Sequence, residues 1–103
     1  MVVSLLLLLA CNSKRAAPAP GDPTAGAKVF QSACAVCHTT TKKKKVGPGL
    51  AGLYHASALP NAEPVNDQTV ENWIRNGGGN MPGFKGILSP EQMRDVIAYL
   101  KTL

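Results

Sequence analysis

Aromatic residues are scarce in this chain, with one Trp, two Tyr and two Phe making up 5% of its 103 residues. They do not interleave with its basic run, Lys42 to Lys45, which argues against a nucleic-acid surface. Cysteine occurs three times, and two of the three share one short motif, so no pair remains for a disulfide framework. No apolar run approaches the roughly 20 residues that cross a bilayer. Metal ligands are few as well. Outside Cys34, Cys37 and His38 only Cys11 and His55 remain, so the second ligand pair that a structural zinc site requires is missing. Acidic groups are outnumbered, 6 against 11 Lys and Arg, for a net charge of +5. No strand-like alternation and no internal repeat is present, and nothing suggests a general base or a substrate pocket.

What is present is concentrated in Cys34-Ala35-Val36-Cys37-His38, the C-x-x-C-H pattern of covalent c-type haem attachment. Two thiols three positions apart on one helical turn project the same way and reach the two vinyl groups of one porphyrin. His38, next in sequence, is placed as an iron ligand, leaving the opposite face for a second ligand or for open chemistry. A dithiol redox site is the rival use of C-x-x-C. It expects a βαβ context, whereas this chain offers helical patterns and glycine loops.

The amino terminus reads as an export signal. Residues 1–10 form a signal peptide whose apolar run, Val2 to Ala10, is too short to span a membrane. Leu8-Leu9-Ala10-Cys11 resembles a bacterial lipobox, making Cys11 a lipidation site. The usual positive residues before the run are missing, which is attributed to a misplaced start codon. Residues 11–22 then form a lipidated, Ala/Pro-rich tether, and 23–103 the folded domain. The expected location is a periplasmic or other extracytoplasmic membrane face. A folded part of roughly 80 residues is marginal on side-chain packing alone, and a covalently held haem supplies the missing apolar core.

Four helical stretches are expected. The first spans about Thr24 to Val36, with Gly26, Val29, Phe30 and Ala33 on one face. Gly47-Pro48-Gly49 leads into a short apolar turn, Leu50 to Tyr54, followed by loop through Pro60 and Pro64. Asn66 or Asp67 caps a third helix in which Val70, Trp73 and Ile74 share a face, ended by Gly77 in a left-handed conformation. The last helix has Ser89 as N-cap, Pro90 at its first position, Gln92 completing a capping box, and a stripe of Met93, Val96, Ile97 and Leu100. Tyr99 is expected to pack across the first helix where Gly26 permits close approach.

This order of helix, C-x-x-C-H, Gly-Pro loop, glycine-rich Met-Pro segment and terminal amphipathic helix resembles the class I c-type cytochromes over about Pro23 to Leu103. The resemblance implies an all-α, cytochrome c-like fold of three to four short helices around one covalent haem. It maps the second axial ligand onto Met81 and the carbonyl that holds the imidazole Nδ1 proton onto Pro48. It also maps Gly26, Phe30 and Tyr99 onto the contact between first and last helices. The chain departs from better-known members in its brevity and in Lys42-Lys43-Lys44-Lys45, inserted straight after the haem motif.

The residues also favour Met81 as ligand, since Gly77 to Gly79 give a flexible approach and Pro82 and Gly83 turn the chain after it. Met93 fits the core better and His55 reads as a loop histidine. Thioether opposite imidazole favours ferrous iron and closes the site. The implied function is one-electron transfer between respiratory or photosynthetic redox partners, membrane oxidoreductases or terminal oxidases and reductases. Lys42 to Lys45 are candidates to dock their acidic surfaces, or to meet anionic lipid headgroups. The alternative is a haem enzyme or gas sensor with an open or weakly ligated distal position.

Overall fold

The computed structural model describes residues 20–103. The signal peptide and the lipidation site at Cys11 lie outside them. Among the described residues three helices carry the architecture, α1 (Pro23–Ala33), α2 (Asp67–Asn76) and α3 (Pro90–Leu100), with one 3₁₀ turn at Leu53–His55. Among the described residues there is no strand, only isolated bridges pairing Gly78 with Met81 and Lys85 with Leu88. The fold is all-α, and no described helix is long and apolar enough to cross a membrane.

Each helix begins where its sequence supplies a cap. Asp22 accepts from the Thr24 N–H at 2.9 Å, with Pro23 next in the first turn. Asn66, rather than Asp67, caps α2 in a reciprocal box with Thr69, and Ser89 and Gln92 form the same device at α3. Each such cap is worth about 1 kcal/mol. These satisfy amide groups that the first helical turn leaves without partners.

The core lies mainly between α1 and α3. Phe30 and Val96 are fully buried, with Val29, Leu59, Val70, Ile74, Met93, Ile97 and Leu100 around them. Met93 is therefore a core residue. A Cβ on Gly26 would lie 1.9 Å from the Asp95 carbonyl oxygen and 2.8 Å from Tyr99 Cβ, so only glycine lets the helices cross this closely. Phe30 and Tyr99 meet at the crossing with centroids 5.5 Å apart and planes tilted by 59°, a favoured edge-to-face class of contact. Asp22 N–H also donates to Asp95 Oδ1 at 2.8 Å, pinning the start of α1 to α3.

Three details differ from the sequence reading. Helix α1 stops at Ala33, three residues short of Val36, because the N–H groups of Cys34 and Ala35 both donate to the Phe30 carbonyl, at 2.8 and 2.9 Å, and the chain turns away. Gly77 does take positive φ, 68°, but its ψ of −178° is extended, so the chain leaves α2 directly into the next turn instead of curling in a left-handed cap. Leu59, in the proline-punctuated loop, is buried, held by its N–H bond to the Glu63 carbonyl at 2.8 Å.

Candidate functional site

The C-x-x-C-H segment follows α1 as a hydrogen-bonded turn, not as its last helical turn. The N–H groups of Cys37 and His38 both return to the Cys34 carbonyl, at 3.1 and 2.9 Å. One turn is all that placing two thiols together demands. Neither cysteine is in a disulfide, and both are half-buried. Burial pushes the Cys34 thiol up to about 11, the opposite of the lowered value that a dithiol redox site uses.

His38 is held by two contacts. Its Nδ1 lies 2.8 Å from the Pro48 carbonyl oxygen. A carbonyl only accepts, so Nδ1 carries a proton, and in the neutral ring the lone pair lies on Nε2. A Cβ on Gly47 would sit 2.6 Å from His38 Cε1 and 2.9 Å from Nδ1, so the imidazole also rests against bare backbone. The loop that supplies both contacts is itself knitted to the motif: Gly47 N–H donates to Cys37 O at 2.7 Å and Leu50 N–H to Thr39 O at 3.0 Å. Gly49 fits under the Thr41 carbonyl, where a Cβ would come within 2.2 Å.

Lys42 to Lys45 lie on this loop and are exposed. Thr39 Oγ1 donates to the Lys43 carbonyl at 2.6 Å and Lys43 N–H to Thr41 Oγ1 at 3.1 Å, giving the run a fixed backbone. Lys45 Nζ reaches back to the Ala35 carbonyl at 3.0 Å, bringing the basic loop against the C-x-x-C turn. Val36 and Val46, at 70% and 68% exposure, therefore accompany the lysines on an apolar and cationic surface.

Met81 occupies a tight hairpin after α2. It exchanges backbone hydrogen bonds with Gly78 at 3.0 and 3.1 Å, and Gly79, with φ 58°, makes the turn. The returning segment is clamped to the end of α2 by Phe84 N–H on Ile74 O at 2.9 Å and Lys85 N–H on Arg75 O at 3.1 Å. Met81 is half-buried, in a set with Cys34, Ala35, Leu50, Leu53, Trp73 and Phe84 that packs on the core without being covered. His55 is exposed at the end of the 3₁₀ turn.

Sequence reasoning missed a polar clasp behind the site. Asp67, first residue of α2, accepts from Tyr54 Oη at 3.0 Å and from Lys101 Nζ at 2.6 Å, joining the 3₁₀ turn, α2 and α3. The Lys101 ammonium, followed by the Tyr54 hydroxyl, holds the Asp67 carboxyl below its ordinary value. Burial, then the Asp67 contact, pushes the Tyr54 phenol up. Separations of 13 and 34 residues left no local signal for it.

The donor set fits a covalently held haem. Two thiols sit one turn apart, an imidazole has its free lone pair on Nε2, a thioether sits in a braced hairpin, and half-buried apolar side chains suit a flat apolar ring. Residues 21–100 match the family described as cytochrome C oxidase, cbb3-type, subunit III. Cytochrome c of Ginkgo biloba is 35% identical over 100 residues, covering 80% of this chain and 88% of the relative. Cytochrome c of Chlamydomonas reinhardtii is 36% identical over 103 residues, covering 82% and 91%. Among solved structures, cytochrome c6 of the diatom Phaeodactylum tricornutum superposes with a TM-score of 0.65 at 28% identity, over 80% of this chain and 93% of the other. Cytochrome cH of Methylobacterium extorquens gives 0.66 at 30% identity, over 81% and 100%.

Proposed function

Because the chain belongs to the c-type cytochromes, small electron carriers with covalent haem c and its iron, we propose that it is an exported, membrane-tethered carrier with His/Met axial ligation. When bound, haem c supplies reversible one-electron chemistry. Everything else is done by the chain. Cys34 and Cys37 anchor the ring as thioethers. His38 offers Nε2 to the iron, and the Pro48 carbonyl fixes its tautomer and orientation. Met81 would supply a thioether as the second iron ligand and so close the site to small ligands. The observation that supports this reading is the 2.8 Å contact of His38 Nδ1 with Pro48 O, which leaves the other ring nitrogen available as a donor to iron.

The basic loop meets acidic surfaces of redox partner proteins. Lys42, Lys43 and Lys44 raise the encounter rate through complementary fields, while the exposed Val36 and Val46 supply an apolar contact beside the haem-attachment turn. Nucleic acid is no partner of this surface. Cys11 carries the lipid that holds the domain at an extracytoplasmic membrane face, with the Ala/Pro-rich tether of residues 11–22 as a spacer. Replacing Cys11 by Ser is expected to move the protein from the membrane to the soluble fraction.

The test is the absorption spectrum of the domain made with haem-attachment machinery, oxidised, reduced and under carbon monoxide, together with its mass. The expected result is one covalent haem and a low-spin spectrum that carbon monoxide does not change. A spectrum that shifts with carbon monoxide overturns the closed Met81 site, and a mass without haem overturns the attachment.

A further inference from the structure

Three consecutive glycines precede Met81, and the structure gives them different reasons. Gly77 and Gly79 have φ of 68° and 58°, a region that L side chains avoid, so the backbone itself demands them. Gly78 does not lie in that region. What excludes a side chain there is the indole of Trp73: a Cβ on Gly78 would lie 2.4 Å from Cη2, 2.8 Å from Cζ3 and 3.0 Å from Cζ2. Three carbons of the six-membered ring press on the one residue whose backbone is paired with Met81. The two ends of the hairpin are fixed by backbone. Gly77 sits against the Met81 carbonyl, and Gly83 against the carbonyls of Arg75 and Asn76. Between those ends Trp73 is the side chain in close contact with the hairpin's Gly78 backbone.

We propose that Trp73 is the positioning residue for Met81: its indole is the stop on which the Gly78–Met81 hairpin seats, and Gly78 is the recess that receives it. The proposal rests on Met81 being the second iron ligand. A thioether held by a braced hairpin is released only when the hairpin opens locally, and the stop sets how often that happens. Trp73 touches neither a partner nor the iron in this role. It acts through Gly78.

The experiment is titration of the ferric holoprotein with imidazole, which competes for the methionine position, since apparent affinity scales with the fraction of molecules in the open state. Trp73→Leu and Gly78→Ala are each expected to raise imidazole affinity about tenfold, and the double variant to resemble either single one instead of their product, because both damage the same contact. Gly26→Ala, which destabilises the fold elsewhere, should leave the affinity near wild type and so separates positioning from general stability. If Trp73→Leu does not yield holoprotein, Trp73→Phe, whose shorter ring falls away from Gly78, takes its place. Singles that leave affinity unchanged, or a double whose effect is their product, overturn the proposal. Met81→Ala identifies which idea has failed. If it raises affinity while the Trp73 and Gly78 variants do not, the positioning role alone falls; if it has no effect, the ligand reading falls and the proposal with it.

Discussion

Substituting Gly47 by Ala tests the reading of His38 through a residue that is not itself a ligand. The added Cβ would stand 2.6 Å from His38 Cε1 and 2.9 Å from Nδ1, whereas ordinary contact begins near 3.4 Å. Ring or loop must therefore yield by about 0.8 Å. Taken along the hydrogen bond, that movement stretches the 2.8 Å contact between Nδ1 and the Pro48 carbonyl beyond bonding range. The bond donates electron density to the imidazole and raises its basicity as a ligand, which favours the more positive oxidised state. A typical net hydrogen bond is worth about 1 kcal/mol. With tenfold in equilibrium constant equal to 59 mV for one electron, losing half to all of that preference raises the midpoint potential by about 20–40 mV.

Film voltammetry of the holoprotein measures this directly, and Pro48→Ala is the control. The accepting group at position 48 is backbone, so that variant keeps the carbonyl and should shift the potential much less. A Gly47→Ala protein whose potential falls, or stays within about 10 mV of wild type, would refute the argument that this contact tunes the imidazole.

Three further outcomes follow from the geometry. Gly26→Ala forces a Cβ to within 1.9 Å of the Asp95 carbonyl; overpacking of about 3 kcal/mol, less about 1 kcal/mol gained in helix propensity, should lower the denaturation temperature by roughly 10 °C, and an unchanged midpoint in calorimetry would contradict the close crossing. Asp67→Asn should flatten the acid limb of the stability curve. The Asp67 carboxyl is held low first by Lys101 and also by Tyr54. Its contribution is therefore complete above the unfolded value and lost as pH falls through the folded one, and for this exposed pair it stays below about 1 kcal/mol. Urea unfolding from neutral pH down to about pH 2 checks this, and equal slopes for wild type and variant would exclude it. Cys34→Ala removes one of the two thiols proposed to anchor haem, so mass spectrometry should show little or no holoprotein; normal haem incorporation would count against Cys34 as an anchor.

How far these arguments were open to a reader of the sequence depends on the range of the interaction. The Ser89-Pro90-Gln92 start of α3 is settled within four residues and appears as the sequence indicates, and the cap of α2, which the sequence offered at Asn66 or Asp67, falls on Asn66. The end of α1 was not legible, because no glycine or proline marks it. The signal is a shared acceptor, the Phe30 carbonyl taking two donors, and Ala35 and Val36 beyond continue an apolar pattern that reads as helix. At the hairpin, the run Gly77-Gly78-Gly79 signals a turn but cannot say that its middle member answers to a ring on the preceding helix. That requirement exists only once Trp73 and Gly78 have met, and it is steric instead of conformational. The Tyr54, Asp67 and Lys101 clasp is further still from local view, each partner being an ordinary surface residue until three elements converge. The motif thus announces the chemistry because covalent attachment needs neighbours in sequence. Gly47 and Trp73 meet their neighbours His38 and Gly78 only through the fold, and if they position the proposed ligands, substitutions there should move potential and ligand access while leaving every recognisable motif intact.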